Sequence, residues 1–468
     1  MVGQFCAKSL ATSGTVGAKF YEECQGSGTY NHTKVAAQIY GELRFIYLME
    51  TLTDAFLPQL LAIKDQEWGW GGSDSWSAGG FCSFSASFQS RNPAPHVASS
   101  DAQYVGADFF LPLPDELVEK VLALLPISSI FRAGAVCTRW EAITSSRRFY
   151  YMCKNKALCA PWYFMYKESK DREGLAYDPR ARKWHSFSLP LISDIGGFVA
   201  SSHGLACFAD NSNGYCLYTC NLLTKACKKV PEPYPKWYAD YCSVAITLDN
   251  VSQEQTIVVA LSNQLPDDYS HWSLNVEICS SLTDGWRTGA TSTLNGLRGG
   301  EDSIICNGIF YCVLHSTAMV GTREGECRHG LLSYDLGNDI LEVVSMPMPC
   351  SFTCVKLINC SERLIMVGGI GKADIIRGIG VWELTTEWTE IARMPSKFFR
   401  GFGEFDDVLS SSGMGDLIYI HAFGSPQLLL FSLQHHLWRW SQKCPMAKKH
   451  PLHLFTGFCF ELRIDACP

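Results

Sequence analysis

The chain has 468 residues, of which 47% are hydrophobic and 12% aromatic, and its formal net charge is −7. These values favour a globular protein of two or three domains. The absence of a long basic stripe argues against nucleic acid as a partner. Residues 43–63 form the most apolar segment, but Glu50, Asp54 and Pro58 interrupt it, so the sequence predicts no membrane span.

The 21 cysteines form no C-x-x-C pair, and no histidines complete a zinc signature around Cys216 and Cys220 or around Cys350 and Cys354. A metal site or a disulfide framework is one interpretation of so many cysteines. The other is a set of buried strand thiols that act as small hydrophobic residues. An odd number of cysteines favours free thiols in a reducing compartment. We therefore expect an intracellular protein, in the nucleus or cytoplasm, with no metal and no cofactor.

Three zones follow one another along the chain. Residues 1–108 lack clear periodicity apart from one or two short helices within 36–64, and we expect a poorly ordered extension. Residues 109–157 carry helical signals. Residues 161–468 have the short strands and frequent turns of an all-β domain.

The helical zone opens with Pro114, Asp115 and Glu116, which suit the first turn of a helix because proline needs no N–H partner there and acids match the helix dipole. Apolar residues then recur at helical spacing until Pro126, which ends this helix. The sequence thus predicts a first helix between these two prolines.

A second helix is predicted with Ser128 or Ser129 as its cap. Its apolar positions follow helical spacing from Ile130 to Trp140. A third short helix is expected around 146–155. The zone is therefore predicted to be a small three-helix module.

The third zone repeats. Four tryptophans at 184, 286, 388 and 438 are spaced by 102, 102 and 50 residues, which fits a unit of about 51 residues. In each unit an aromatic or apolar residue precedes the tryptophan or its substitute by six to eight positions, and a proline usually follows. The matching frames are Tyr177–Trp184–Pro190, Tyr218–Lys225–Pro231, Ile278–Trp286, Tyr334–Leu341–Pro347, Trp382–Trp388–Pro395 and Phe431–Trp438–Pro445.

Units of this size cannot bury their faces alone, so they must stack, and radial closure removes exposed sheet edges. Paired glycines at 196–197, 299–300 and 368–369 indicate tight turns or bulges. The period and the glycine pairs resemble kelch repeats, which form β-propellers, so the six units imply six blades, and the first blade is expected to take a strand from the C-terminal segment 454–462. Seven blades are the alternative.

The stretch LPLPDELVEKVLALLPISSIFRAGAVCTRW (111–140), followed by SSRRFYYMCKN, resembles the F-box family over essentially the whole motif. The repeat length and glycine pairs resemble kelch repeats. Together they resemble the plant F-box/kelch-repeat proteins. The fold class is then α+β and multidomain, with a three-helix F-box followed by an all-β kelch-type propeller of six blades.

The resemblance implies a substrate-recruiting subunit of a Skp1–cullin–F-box ubiquitin ligase. Its partners would be a Skp1-like adaptor, through it cullin and a ring subunit, and an unknown protein target. The positions that match the motif would face Skp1 or the small core: Leu113, Pro114, Leu117, Val121, Leu122, Leu125, Pro126, Ile130, Val136, Cys137 and Trp140.

The target would bind loops at one end of the propeller. Charged candidates near glycines are Arg298, Glu301, Asp302, Arg377, Arg400, Glu404 and Asp406. Each has an alternative role as a turn or ladder partner. Such a protein would have no catalytic residues and would act by raising the local concentration of the target.

Two other functions fit the sequence. The protein could be a scaffold or decoy that binds Skp1 without assembling an active ligase. It could also be a metal-dependent propeller enzyme, since some kelch propellers are copper oxidases. The histidines show no obvious ligand constellation in the sequence, which argues against the enzyme.

Overall fold

The computed structural model describes residues 114–153, 160–167, 173–189, 197–210, 216–234, 236–249, 251–266, 268–283, 285–317, 328–372, 375–400, 409–422, 425–446 and 455–468. The N-terminal zone 1–108 lies outside these ranges, as do Leu113, Glu404 and Asp406. The chain divides into two units between Phe149 and Tyr150. The described part of the first is a helical module, and the second is a β-propeller.

The helical module begins as the sequence predicts. Helix α1 (Asp115–Ala123) has Pro114 at its N-cap and the acids Asp115 and Glu116 in its first turn. Helix α2 (Ile127–Gly134) begins after Pro126, whose carbonyl accepts hydrogen bonds from the backbone N–H groups of Ser129 and Ile130 at 2.9 and 3.0 Å. The predicted serine cap is therefore wrong: Pro126 holds the N-cap position, and Ser129 lies within the helix.

The second predicted helix is also divided. Cys137 has extended backbone angles (φ −158°, ψ 161°), and α3 (Thr138–Thr144) begins after it. The apolar periodicity from Ile130 to Trp140 continues across this break because both helices bury the same kind of residue. Helix α4 (Arg147–Cys153) overlaps the third predicted helix.

The propeller consists of six four-stranded antiparallel sheets. The strands of the first three blades in chain order are β1 (Trp162–Lys167), β2 (Glu173–Asp178), β3 (Lys183–Ser188), β4 (Phe198–Ser202), β5 (Leu205–Asp210), β6 (Cys216–Asn221), β7 (Cys227–Lys229), β8 (Tyr241–Leu248), β9 (Gln255–Leu265), β10 (Asp268–Ser280) and β11 (Gly285–Asn295). Those of the last three blades, with the closing strand, are β12 (Leu297–Cys306), β13 (Ile309–Ser316), β14 (His329–Asp335), β15 (Ile340–Val343), β16 (Phe352–Asn359), β17 (Leu364–Lys372), β18 (Ile375–Leu384), β19 (Trp388–Arg393), β20 (Leu409–Met414), β21 (Leu417–Ala422), β22 (Leu428–Ser432), β23 (Leu437–Trp440) and β24 (Phe455–Phe460). A short helix, α5 (Ser396–Phe399), follows β19.

The ring closes as the sequence predicts. Strand β24 pairs with β1 and completes the first blade as its innermost strand, with Trp162 opposite Phe460. The first strands of the other five blades are innermost in the same way. Apolar clusters fill the interfaces between neighbouring blades, and Phe198 of the second blade stacks on Phe458 of β24 with ring centroids 3.7 Å apart. Burial between blades thus replaces a single central core.

The repeated aromatic frame is a cross-strand pair. Tyr177 lies opposite Trp184, and Phe431 lies opposite Trp438, each pair joining the third and fourth strands of a blade. The indole N–H of Trp184 donates to the carbonyl of Gln442 at 2.9 Å, in the segment that arrives from the preceding blade. The repeat therefore marks where each outer strand is fastened to its neighbour.

Three frames differ in detail from the prediction. Tyr218 lies opposite Lys229 rather than Lys225, because Lys225 occupies the intervening turn with a φ of 62°. In the third blade Ile278 lies opposite Arg287 rather than Trp286. In the fifth blade Trp382 lies opposite Glu390, and Trp388 lies opposite Leu384.

One cysteine pair departs from the expectation of free thiols. Cys220 and Cys227 are directly opposed on β6 and β7, with Cα atoms 4.1 Å apart, and they form a disulfide. Of the other described cysteines, eight are buried. Burial raises the pKa of the Cys207 thiol to about 12, as expected of a packing residue.

Candidate functional sites on the helical module and the propeller

The buried side of the helical module contains four of the predicted docking residues. Val121, Leu122, Ile130 and Trp140 are buried with Val118, Ile127 and Phe149. Their role within the module is therefore packing. An ion pair of 2.7 Å between Arg139 on α3 and Asp115 on α1 also ties the helices together.

The exposed side of the module is apolar at several positions. Pro114, Pro126, Val136 and Cys137 are exposed, and Leu117 and Leu125 are half-buried. These six predicted residues are available to a partner.

Two further apolar residues belong to this exposed set. Leu124 is 47% exposed at the end of α1, and Phe131 is 49% exposed on α2. The position of Phe131 was the available sequence signal. It falls outside the buried stripe of Ile127, Ile130 and Ala133. A large apolar residue on the opposite face of a helix does not pack into the core of the module. Leu124 looked like a core residue because it matches the spacing of α1, but the helix ends one residue before it.

The two ends of the propeller differ. The connections between first and second strands and between third and fourth strands meet at one end, which we name the turn end; tight turns such as Asn307–Gly308 form it. The connections between second and third strands and those between successive blades meet at the opposite end, named the crossover end. Longer connections, such as 230–240 and 344–351, lie at the crossover end. A target surface built from several blades is expected there.

Three of the charged candidates lie together on β12, the innermost strand of the fourth blade. The guanidinium of Arg298 lies 3.6 Å from the ring centroid of Tyr241 on β8. Glu301 is exposed within a bulge between Gly299 and Ser303. Asp302 accepts hydrogen bonds from the backbone N–H of Leu357 at 2.6 Å and from the Lys356 ammonium at 3.4 Å. Asp302 thus fastens the fourth blade to the fifth, which is the ladder role that the sequence left open.

The other described candidates are separate from this group. Arg377 is exposed on β18, and Arg400 is exposed after α5. Both lie towards the crossover end, but they belong to different parts of the fifth blade and its exit segment.

Two histidines for which the sequence showed no pairing are neighbours in the fold. His315 on β13 lies directly opposite His329 on β14, with ring centroids 5.0 Å apart. Burial, and then the positive charge of Arg298 and Lys356, lower the pKa of His315 to about 4. Burial, His315 and Arg328 lower the pKa of His329 to about 4 as well. Both rings are therefore neutral at pH 7.

An aromatic crossover segment was missed by the sequence analysis. Tyr234 is 100% exposed and Tyr238 is 81% exposed in the connection between β7 and β8. Trp237 packs edge-on against Trp286 at 4.4 Å, and the Trp286 indole N–H donates to the carbonyl of Pro231 at 2.6 Å. The segment is held in place while its tyrosines face solvent, an arrangement typical of interface anchors. The run PYPKWY (233–238) was the available signal.

The described residues contain no three His, Cys, Asp or Glu side chains placed to hold one metal ion. Within the same ranges, no helix is both long and apolar enough to cross a bilayer.

Comparisons with known proteins agree with this architecture. The F-box domain model matches residues 110–152, and the KIB1-4 beta-propeller model matches residues 176–431. The protein is thus of the class that joins an F-box to a C-terminal β-propeller.

Relatives define the family more closely. F-box/kelch-repeat protein At3g61590 of Arabidopsis thaliana is 45% identical over 76% of this chain and 90% of its own length. Protein UNUSUAL FLORAL ORGANS of the same plant is 24% identical over 74% of this chain and 82% of its own length. F-box only protein 6, also from Arabidopsis thaliana, is 28% identical over 60% of this chain and 58% of its own length. The chain belongs to the plant F-box/kelch-repeat family.

Proposed function

We propose that the protein is a non-catalytic, intracellular substrate receptor of a Skp1–cullin–F-box ubiquitin ligase. The helical module would bind a Skp1-like adaptor, and the crossover end of the propeller would bind the target. Cullin and a ring subunit would join through the adaptor, and the reaction would be accelerated by proximity alone.

The observation that carries the proposal is the apolar surface that the module leaves uncovered. Leu124 and Phe131 have about half of their surface exposed, and Val136 and Pro126 are exposed beside the turns that follow α2 and α1. A module of some 40 residues has little interior to spare. A partner that covers these residues would supply the apolar burial that the module lacks.

The central experiment is reconstitution with a Skp1-type adaptor, cullin and ring subunit. The wild-type chain is expected to co-purify with the adaptor. The double variant Leu124→Ala/Phe131→Ala is expected to weaken adaptor binding at least tenfold. Truncation of a single interface anchor typically costs about 2 kcal/mol of binding free energy, and sometimes more. Ser145→Ala, at an exposed polar site of the same module, is the matched control and should bind as wild type does.

Each outcome of this experiment has a clear meaning. Failure of the wild-type chain to bind any Skp1-type adaptor would overturn the proposal. Assembly of the full complex without ubiquitin transfer to any co-purifying protein would instead favour the scaffold or decoy.

On the propeller, we propose that Arg298, Glu301, Arg377, Arg400, Glu404 and Asp406 belong to the target-binding end, together with the exposed Tyr234 and Tyr238. The Asp302 side chain already joins the fourth blade to the fifth by accepting a hydrogen bond from the backbone N–H of Leu357. Its carboxylate is therefore the weakest candidate of the predicted set.

Within the family, we further propose that the protein is a counterpart of the Hawaiian Skirt member. Four sequence segments that resemble that member support this relation: PWYFMYK (161–167), GFGEFD (401–406), WRWSQKCP (438–445) and LFTGFCFE (454–461). Expression of this chain in a plant that lacks that member should restore normal growth; an expressed, stable chain that restores nothing would count against it.

A further inference from the structure

We propose that Arg298, His315 and His329 form a binding site for a carboxylate at the crossover end of the fourth blade. The occupant is an Asp or Glu side chain in an acidic segment of a partner protein. That the partner is the ubiquitination target rests on the proposed function; the carboxylate site itself does not.

The register of the fourth blade aligns the three residues. Arg298 on β12 lies opposite His315 on β13, and His315 lies opposite His329 on β14. Directly opposed residues on adjacent antiparallel strands place their Cβ atoms on the same face of a sheet. The three side chains therefore leave the same face of the blade in one row at its crossover end.

A glycine makes room for this row. A Cβ atom at Gly300 would lie 2.7 Å from the His315 ring, which is too close for any other residue. Gly300 itself lies within the bulge of β12, between Gly299 and Ser303. The backbone of the innermost strand is thus shaped around the imidazole.

His329 supplies the independent sign of a ligand. Only 7% of its surface is exposed, and its Nδ1 atom has no hydrogen-bond partner within the described part of the chain. Buried polar atoms are almost always hydrogen-bonded, because an unsatisfied one costs about 1–3 kcal/mol. This atom is covered in the free protein, so an acceptor oxygen reaches it only when the side chains around it move, and it would then satisfy the Nδ1–H tautomer of this ring.

Arg298 supplies the charge. Its contacts are the Tyr241 ring and the carbonyl of its neighbour Gly299 at 3.0 Å, and no carboxylate pairs with it among the described residues. The nearby acid Asp302 is engaged by Lys356 and Leu357 instead. The stack on Tyr241 holds a guanidinium that keeps unused N–H donors for an anion.

The charge of the row favours a carboxylate over a phosphate. At pH 7 both imidazoles are neutral, since burial and neighbouring cations lower their pKa values to about 4. The row then carries one positive charge, which matches one carboxylate. Sites for phosphate, with a charge of about −1.5 to −2, typically gather several arginines.

The test measures binding of fluorescein-labelled peptides to the full-length chain by fluorescence anisotropy. The probes are an Ala–Glu repeat, its neutral Ala–Gln counterpart and an Ala–phosphoserine repeat of the same length. The Ala–Glu probe is expected to bind at least tenfold more tightly than the Ala–Gln probe and more tightly than the phosphopeptide.

Variants assign the binding to the row. Arg298→Gln and His329→Phe should each weaken Ala–Glu binding at least tenfold, with thermal unfolding used to verify that both variants fold. Lys443→Gln removes one charge from an exposed crossover residue of the sixth blade and should change binding less than twofold.

Several results would overturn the site. Equal binding of the Ala–Gln probe, or an equal loss in Lys443→Gln, would show that no specific carboxylate site exists. Tighter Arg298-dependent binding of the phosphopeptide would replace the carboxylate with phosphate. Because no adaptor or ubiquitin is present, these results are independent of whether the chain assembles a ligase.

Discussion

At the scale of single residues, neighbouring leucines in the helical module differ sharply in burial. Leu122 is completely buried, whereas Leu124, two positions later, is about half exposed at the end of α1. The same residue type is therefore buried at one position and exposed at another in the same helical turn.

We predict that Leu122→Ala lowers the free energy of unfolding of the module by about 2–5 kcal/mol, because it leaves a cavity. Leu124→Ala should change it by less than about 1 kcal/mol while still weakening adaptor binding. Chemical denaturation of the two full-length variants, followed by adaptor binding on the folded protein, makes the comparison. Equal destabilisation by both changes would place Leu124 in the core.

Glu461, directly after β24, gives the stability of the propeller a pH dependence. Burial raises the pKa of its carboxyl from 4.5 to about 7, with Arg463 opposing the rise and Asp465 adding to it. Below pH 4.5 the residue is protonated in both folded and unfolded chains and contributes nothing. Between pH 4.5 and 7 only the unfolded chain ionises, so stability falls as pH rises.

We predict that Glu461→Gln removes this loss. At pH 8 the variant should be more stable than wild type by up to about 3 kcal/mol, and the difference should disappear near pH 4. Thermal unfolding across this pH range measures the effect. A difference between the two proteins that does not vary with pH would contradict the assigned titration.

At the scale of elements, the C-terminal segment fastens the ring beyond β24. Asn221, at the end of β6, is fully buried, and its Nδ2 donates to the carbonyls of Arg463 and Ala466, each at 2.8 Å. Its Oδ1 accepts a hydrogen bond from the backbone N–H of Leu223 at 2.9 Å. A single amide thus joins the second blade to the last residues of the chain.

We predict that Asn221→Asp destabilises the propeller by about 2 kcal/mol or more, because a carboxylate oxygen then faces two buried carbonyls and the donor is lost. The volume of the side chain hardly changes, so a cavity does not explain the effect. Asn295→Asp, at an exposed position on β11, is the matched control. Unfolding midpoints that shift equally in both variants would contradict this role.

Strand repeats were easier to predict than helix boundaries, for a physical reason. The pairing of Tyr177 with Trp184 recurs in equivalent positions, so sequence spacing alone indicates the blades. The break between α2 and α3 at Cys137 does not recur elsewhere in the predicted module, and the helical spacing of apolar residues continues through it, so spacing alone does not reveal it. The facing of His315 and His329 depends on the β13–β14 register, which a lone histidine in a strand does not specify.

At the scale of the whole molecule, the two proposed sites lie on separate units. The docking residues belong to the first unit, which ends at Phe149, and the carboxylate row belongs to the second. A receptor that works by proximity needs both functions in one chain, but neither function needs the chemistry of the other.

This separation predicts two opposite kinds of loss in the full-length protein. Leu124→Ala/Phe131→Ala should keep Ala–Glu peptide binding within twofold of wild type and lose the adaptor. Arg298→Gln should keep the adaptor and lose the peptide at least tenfold. Peptide anisotropy and adaptor co-purification, measured on the same preparations, give the four values.

In cells, the Leu124→Ala/Phe131→Ala variant should protect a bound target from degradation, since the propeller would hold the target away from the ligase. If either variant lost both activities while remaining folded, the two sites would be coupled, and two independent binding sites would no longer describe the molecule.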